Sequence, residues 1–470
     1  MLNSVDDAFI KSLPDGVIRP TEARYLEEPR GRFTGQAGAI AAPRTVEELS
    51  KIIQAAARSK VPVVPYGGGT GLVAGQVMPQ GPKPLIVSLE RMRAMRGIWP
   101  EENAAVFEAG ATIASIQEAA EGENRLFPLS YASDGTAQIG AALAVNSGGL
   151  NVLRYGTARD LCLGVEAVLP DGQIYHGLRR LRKDNTGYDL RNLLIGSEGT
   201  LGIITAASLR LFPRPTRRGT AFLQVNDPAT ALRLLARLRD RVGDTISAFE
   251  LMSGAGLEFI RETNQPARVP FQDIPAWSVL VELGTSGEMD PDAILTDFFA
   301  TQFEAGEISD GLIASNERER AEFWHLRETI PEGNRAIGAI ASHDISLPLS
   351  EIAEFIPEGE ARLARFGPVR VNAFGHLGDG NLHYNVFPPK GGNRDDFDGV
   401  RAEITRTVHD LVAEHGGSFS AEHGVGRLKV AEVERYGDPA RLDIMRRIKT
   451  ALDPNGIMNP GAVLDGGGSA

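Results

Sequence analysis

Two histidines, His376 and His383, bracket the segment HLGDGNLH around a Gly-Asp-Gly centre. Asp379-Gly380 favours a two-residue hairpin turn in which both central residues take positive φ. Turned there, the chain sets Gly378 opposite Asn381, Leu377 opposite Leu382, and His376 opposite His383. Directly opposed residues hold their Cβ atoms about 4.5–5.5 Å apart on one sheet face, close enough for two imidazoles to chelate one divalent ion. Asn385, two residues further, points to the same face. The residues alone leave two readings open: a metal pair, or cross-strand neighbours in a plain hairpin.

A second chemical signal is VVPYGGGTGLVAG, residues 63–75, with five glycines in and just after a strand. Gly69 to Ala74 fits the dinucleotide fingerprint G-x-G-x-x-A, with Glu90 downstream. That fingerprint needs a helix to begin at the loop, so that the helix N-terminus can hold a pyrophosphate. Pro79, Pro82 and Pro84 with Gly75 and Gly81 exclude such a helix. A Walker loop is excluded as well, because no Lys-Ser/Thr pair follows the glycines. What remains is a helix-free loop whose successive N–H groups can form an anion-binding nest, or else a flexible turn. YASDGTAQIGAALAVNSGGLNVLRYGTARD and LLIGSEGTLGIIT are similarly rich in small residues. Three such segments in one half of the chain argue for an extended ligand with several contact zones.

The elements that must position these groups can be read along the chain. Thr45 and Glu48 form a capping box for the helix VEELSKIIQAAARSK. VPVVPY, LIVSL and AAVFEAG read as strands, and Ile113, Ile116, Ala119 and Ala120 have helical spacing after Thr112. GVEAVLPDGQIYHG reads as a hairpin turning at Pro170-Asp171-Gly172, GIITAASLRLFP as a strand, and PRPTRR (213–218) as a linker. Beyond it, ATALRLLARLRDRV, DAILTDFFATQF and NERERAEFWHLRETI read as helices, and a further helix begins near Ser350. WSVLVEL, HDISLPL and VRVNAF read as strands. This alternation, with antiparallel turns, predicts an α+β domain. The closing GGGSA reads as a disordered tail.

Bulk properties narrow the function. A chain of 470 residues suggests about two to three domains. Its 42% apolar and 23% charged residues suit a globular protein. A net charge of -12 argues against nucleic acid as a partner. The single cysteine, Cys162, excludes an internal disulfide and cysteine-rich zinc, and fits a reducing compartment. MLNSVDDAFI has neither the basic start nor the apolar core of a signal peptide. No stretch approaches the ~20 apolar residues of a membrane helix. The expectation is a cytoplasmic chain without a transmembrane segment.

Taken together, PYGGGTGL, NSGGLNVLRYGT, RKDNTGYDL, IGSEGTLGIIT, GHLGDGNLHYNV, SAEHGVGR and DPNGIMNPG occur in an order that resembles the FAD-linked oxidases of the vanillyl-alcohol oxidase type. Within them the chain is most similar to the group of D-2-hydroxyglutarate dehydrogenase, D-lactate dehydrogenase and glycolate oxidase subunits. The resemblance covers nearly the whole chain. It implies an α+β fold with a two-subdomain FAD-binding domain over 1–218 and a ferredoxin-like α+β cap carrying substrate groups over 219–430. A C-terminal helical segment over 431–470 would return to the FAD-binding domain.

The resemblance also implies site residues. The FAD pyrophosphate would lie on Gly67, Gly68, Gly69, Thr70, Gly71 and Leu72, flanked by Pro65 and Gln76. Ser133, Gly135, Thr136, Asn146, Gly148, Gly149, Tyr155, Gly156, Glu198, Gly199, Gly202, Ile203 and, from the C-terminal motif, Asn459 would complete the cofactor site. Some relatives link flavin covalently through a histidine near this loop. Here Thr70 stands there and no histidine precedes His176, so the FAD is expected to be non-covalent. A divalent metal, zinc by resemblance although manganese and cobalt also suit such ligands, would sit on His376, His383 and Glu422. Two histidines and a carboxylate with open positions is a catalytic ligand pattern.

The implied reaction is oxidation of a small D-2-hydroxy acid to the 2-oxo acid. A metal would lower the hydroxyl pKa, His423 would act as general base, and flavin N5 would take the hydride. Arg327 matches the family's carboxylate-binding arginine, with Asn385, Ser342 and His423 as further substrate contacts. Two positions depart from the hydroxyglutarate pattern: Ser342 stands where those members carry a lysine, and Pro331 where they carry a threonine. Both losses favour a shorter acid such as D-lactate or D-malate. The electron acceptor, whether an electron-transfer flavoprotein, a quinone or a partner subunit, stays open, as does a homodimer. Rival readings are a glycolate-oxidase-like subunit of a larger complex, an alkyl-glycerone-phosphate-synthase-like transferase without net oxidation, and a non-catalytic flavin-binding module.

Overall fold

Residues 1–465 are described by a computed structural model, and the GGGSA tail lies outside them. Contacts divide the chain into two units. One comprises 1–149, 156–214 and 422 onward; the other comprises 150–155 and 215–421. The breaks after 214 and 421 stand beside the boundaries expected after 218 and 430.

The first unit contains two small sheets besides the short pair Arg125–Leu126 and Phe212–Pro213. One orders Ile18–Arg19, Ala39–Ala41, Leu85–Ser88 and Val63–Tyr66 side by side, the last three parallel. The helix Val46–Ser59 buries Leu49, Ile52, Ile53 and Ala56 in the same core as Val63, Leu85 and Val87. Thr45 caps it by accepting the Glu48 N–H at 3.2 Å, and the Glu48 carboxylate reaches back to the N–H of Arg44. The other sheet is antiparallel, in the order Met95–Trp99, Ala104–Glu108, Ile203–Arg210, Cys162–Val168 and Ile174–Gly177. Gly172, at φ +87°, makes the turn between the last two. No helix interrupts residues 67–84, as the prolines require.

The second unit is built on a seven-stranded antiparallel sheet. Its order is Ile308–Ile313, Arg217–Val225, Trp277–Thr285, Ile246–Ser253, Arg370–His376, Asn381–Phe387 and Ala341–Ser346. Numbered in chain order, the strands starting at 217, 246, 277 and 308 lie side by side in the order fourth, first, third, second. The helices Pro228–Val242 and Pro291–Glu304 connect the first to the second and the third to the fourth. That is the ferredoxin-like βαββαβ arrangement.

Side chains alternate between the two faces of this sheet, and the alternation decides where chemistry is possible. Leu251, Ala373, Leu382, Tyr384, Ile345, Val279 and Val281 belong to one large apolar core with residues of the helices on that side. Phe222, Leu280, Met252 and Phe374 occupy alternate positions and pack against Phe323, Leu326 and Ile330 of the helix Glu317–Ile337. Burying each such side chain contributes about 1.5–3 kcal/mol. That second face also carries the polar residues Glu250, His376, His383, Asn385, Asp344 and Ser342.

Candidate active site and metal centre

The hairpin carrying the two histidines is present, with a register that differs from the expected one. Phe374, not His376, lies opposite His383. The loop is a 3-10 turn over Leu377–Asp379 closed by Gly380, alone in the left-handed region at φ +83°. Two contacts favour this longer loop over a two-residue turn. Leu377 is drawn into the apolar core with Leu382 and Tyr384, and Asp379 Oδ1 accepts the Asn381 N–H at 3.2 Å. Gly375, at φ +149°, lets the chain pass where a Cβ would stand 2.7 Å from the Asn381 carbonyl oxygen. The register differs by two residues, and the side-chain period is also two, so both histidines stay on one face. Their ring centroids are 5.8 Å apart.

The third ligand arrives through the chain itself. The N–H of Ala421 is held at 3.2 Å by the carbonyl of Asp344, which lies opposite His383. Glu422 follows by one peptide bond. One ligand atom from each of His376, His383 and Glu422 lies within 4.8 Å of the others. Two imidazoles and a carboxylate are the donor set of a catalytic zinc or similar divalent ion, so these residues fit such a group. His423 stands beside Glu422, its Nε2 3.7 Å from the Glu422 Oε1.

Glu250, which the sequence does not single out, joins two of the candidate site residues, His376 and Arg327. It is 1% exposed, opposite His376 on the neighbouring strand. Its Oε1 accepts from His376 Nδ1 at 2.8 Å, and its Oε2 from Arg327 Nε at 2.9 Å and Nη2 at 2.8 Å. Burial alone would raise the Glu250 carboxyl, but the His376 imidazole and the Arg327 guanidinium outweigh it and hold it at about 2. A signal was available. ISAFELMS buries every residue of its strand, so a lone glutamate there needs partners. Arg327 itself is 5% exposed and stacks over the Phe374 ring at 5.0 Å. It is therefore a buried, paired cation rather than a solvated helix charge. Pro331 lies within the same helix and has no N–H to give the carbonyl of residue 327. Burial pushes the carboxyl of Asp379, in the hairpin loop, up to about 6.

Register also decides between Ser342 and His343. Ser342 pairs with Asn385 and Asp344 with His383, so Ser342 shares the histidine face. His343 points the other way, its Nδ1 3.2 Å from Nε2 of His409. Asn385 Oδ1 accepts the His343 N–H at 3.1 Å. The other histidines have local roles: His325 Nε2 lies 2.9 Å from the Pro266 carbonyl oxygen, and His415 bonds Glu351 and Glu358. His176 is exposed beside Glu166.

At the glycine end, Pro65 lies in the strand Val63–Tyr66 and the loop 67–72 follows. A Cβ at Gly68 would stand 2.0 Å from the Thr136 carbonyl oxygen, and one at Gly67 2.5 Å from the Ala141 Cβ. Gly69 has φ +74°. Gln76 Nε2 donates to the Gly71 carbonyl at 2.8 Å, bridging the loop that carries Thr70 and Leu72. The Thr136 N–H donates to Ser133, turning the chain through Gly135, where a Cβ would meet nothing within 4 Å. Asn146 ends a short helix at φ +60° and its Oδ1 accepts the Arg159 N–H, with Gly148 and Gly149 buried beyond it. Gly149, Gly156, Gly199 and Gly202 all have positive φ. Ile203 opens the strand after them. This backbone, stripped of side chains and packed tightly on one side, fits a cradle for a phosphate-bearing planar ligand. Tyr155 falls in the second unit, with Leu150 to Arg154.

Glu198 and Asn459 use their side chains internally. Glu198 accepts the N–H groups of Val425 and Gly426 at 2.7 and 2.8 Å. Burial raises its carboxyl despite these bonds. Asn459 Nδ2 donates to the carbonyls of Gly75 and Glu198. Its Oδ1 accepts from Arg427, which also donates to Ala74, Gly75 and Pro460. These bonds tie the segment just after Glu422 and His423 to the end of the glycine loop.

A half-buried backbone cradle and a histidine–carboxylate face are the parts of a flavoprotein oxidoreductase. Residues 37–177 match the family described as FAD binding domain, and residues 214–463 the family described as FAD linked oxidases, C-terminal domain. The chain belongs to the FAD-linked oxidase family. It is 36% identical over 466 residues to the mitochondrial D-2-hydroxyglutarate dehydrogenase of Bos taurus, covering 97% of this chain and 83% of the relative. It is 34% identical to the D-2-hydroxyglutarate dehydrogenase of Stutzerimonas stutzeri, covering 93% of each. Among solved structures, a substrate-bound p-cresol methylhydroxylase superposes with a TM-score of 0.75 at 18% identity, covering 97% of this chain and 96% of that one. An alkyldihydroxyacetonephosphate synthase does so with a TM-score of 0.71 at 16% identity, covering 98% and 85%. These two likenesses concern the fold alone. No described helix is long and apolar enough to cross a membrane, and relatives occur both in mitochondria and in bacteria.

Proposed function

We propose that this chain is an FAD-dependent, metal-assisted dehydrogenase that oxidises a D-2-hydroxy acid to the 2-oxo acid. The observation that carries the reading is the single sheet face on which His376, His383, Glu250, Asp344, Asn385 and Ser342 converge, beside Arg327. Relatives named D-2-hydroxyglutarate dehydrogenase support the reaction class.

His376, His383 and Glu422 would hold the cation, and the glycine loop with residues 133–136 and 146–149 would hold non-covalent FAD. When bound, a divalent cation supplies Lewis acidity at the substrate oxygen and FAD supplies the hydride acceptor. The protein's own part is positioning and proton transfer. The guanidinium of Arg327, already planar and fixed, orients the substrate carboxylate. His423 accepts the hydroxyl proton at a ring nitrogen as the C2–H bond breaks. Asn385 supplies an amide to the substrate's polar groups. Ser342, opposite Asn385, offers a hydroxyl where the resemblance to hydroxyglutarate-type members implies a lysine, which supports a shorter acid, of the D-lactate or D-malate kind. The test is turnover of paired D- and L-2-hydroxy acids with an artificial acceptor, before and after chelation. Preference for L-acids, or no dye reduction by any 2-hydroxy acid, would refute the reading. Dye reduction also separates it from a transferase on the same fold.

A further inference from the structure

We infer that Glu250 is a positioning residue that couples the metal-ligating His376 to the substrate-orienting Arg327, an inference that rests on the metal reading above. The geometry gives one carboxylate two separate tasks. Oε1 takes the hydrogen bond from His376 Nδ1, and Oε2 takes both contacts from Arg327. A histidine that donates from Nδ1 carries its lone pair on Nε2, so the Glu250 bond fixes the tautomer and ring plane needed to ligate through Nε2.

The charges support the same conclusion. A metal-ligating histidine must be neutral, and a buried carboxylate needs a cation. Arg327 supplies that cation, with both Nε and Nη2 on Glu250 Oε2. All three groups are buried, with Glu250 at 1%, Arg327 at 5% and His376 at 7% exposure, so water does not replace these bonds. Phe374, two residues before His376 on the same strand, supports the arrangement. Its ring lies 5.0 Å from the Arg327 guanidinium carbon and 5.0 Å from the His383 ring centroid. A change of position at either end of this chain of contacts is therefore felt at the other. Metal binding at His376 orients Arg327 for the substrate carboxylate, and loss of the Arg327 fork releases the His376 ring.

The test uses the full-length holoprotein and reads metal affinity by competition with a chelator, using zinc or cobalt as the probe. Glu250→Gln keeps an acceptor for Nδ1 but loses the charge that holds Arg327. It should weaken metal affinity about ten- to hundredfold, the usual effect of losing such a partner, and raise KM for the acid more than it lowers kcat at saturating metal. Arg327→Lys guards against misfolding of that variant. It touches no metal ligand and keeps the positive charge, yet should also weaken metal affinity severalfold. A purely structural role would lower thermal stability and leave the affinity of the folded, FAD-loaded protein unchanged. If wild type binds zinc or cobalt and the folded variants bind it as tightly, the inference is overturned and the metal reading stands. If wild type binds neither ion at His376 and His383, the metal reading and the inference fall together.

Discussion

The glycine end of the first unit and the histidine face of the second would hold their proposed ligands in opposite ways. The first uses backbone and at its tightest point has no room for a side chain: a single methyl at Gly68 would meet the Thr136 carbonyl oxygen at 2.0 Å. The second uses side chains on a regular sheet, where the backbone serves only to set which residues share a face. Backbone sites are damaged by adding atoms and side-chain sites by removing them. That contrast separates the two sites experimentally, because each can be broken while the other is left loaded.

The sharpest break removes a ligand. His376→Ala and His383→Ala should each reduce metal content to background and turnover by more than about a hundredfold, while the protein stays yellow. Elemental analysis with flavin quantitation on the same sample checks both halves. Loss of FAD along with metal would contradict the separation. At the other end, Gly68→Ala should deplete FAD and destabilise the protein by about 1–3 kcal/mol, as overpacking does, yet leave metal content intact. Thermal denaturation with flavin release measures it, and a fully FAD-loaded variant of unchanged Tm would remove the cradle from this loop. The flavin should leave the polypeptide on denaturation, since Thr70 offers no covalent link.

Ser342→Lys sharpens the comparison from the side-chain end. It restores a cation on the histidine face, and a charge-assisted hydrogen bond is worth roughly 1.5–3 kcal/mol. It should shift relative kcat/KM about tenfold toward D-2-hydroxyglutarate over D-lactate. His343→Lys, on the opposite face against His409, should instead destabilise the fold without changing preference. Equal effects of the two would mean that the strand does not read the substrate's distal end.

The smallest effect lies away from both sites. Burial opposes protonation of His415, but the hydrogen bonds its ring donates to Glu351 and Glu358 outweigh it and raise its pKa above 6.5. A raised folded-state pKa adds stability that is complete below pH 6.5 and lost as pH rises through the folded value. The group is only partly buried, so His415→Gln should cost under about 1 kcal/mol at pH 6 and nothing at pH 9. Chemical denaturation at the two pH values tests this.

The same contrast explains what could be read from residues alone. The glycine loop was readable because prolines at 79, 82 and 84 forbid a helix regardless of tertiary context. The hairpin was readable to its face and not to its register. Whether the turn takes two residues or four depends on Leu377 finding a core built from Leu382, Tyr384 and distant helices, and no local preference contains that information. The period of two kept the histidines together all the same. Arg327 and Glu250 show the opposite limit. By helical spacing Arg327 reads as a solvated charge, and only the neighbouring strand reveals its buried partner.

The central claim is that the histidine face holds a metal without which a 2-hydroxy acid cannot reduce the flavin. Its most direct test is anaerobic mixing of the FAD-loaded protein with a D-2-hydroxy acid while flavin absorbance is followed, with metal-replete protein and with protein stripped by a chelator. The account predicts rapid bleaching in the first, none in the second, and recovery on adding back a divalent ion with FAD content constant throughout. Bleaching at the same rate in fully stripped protein would contradict it.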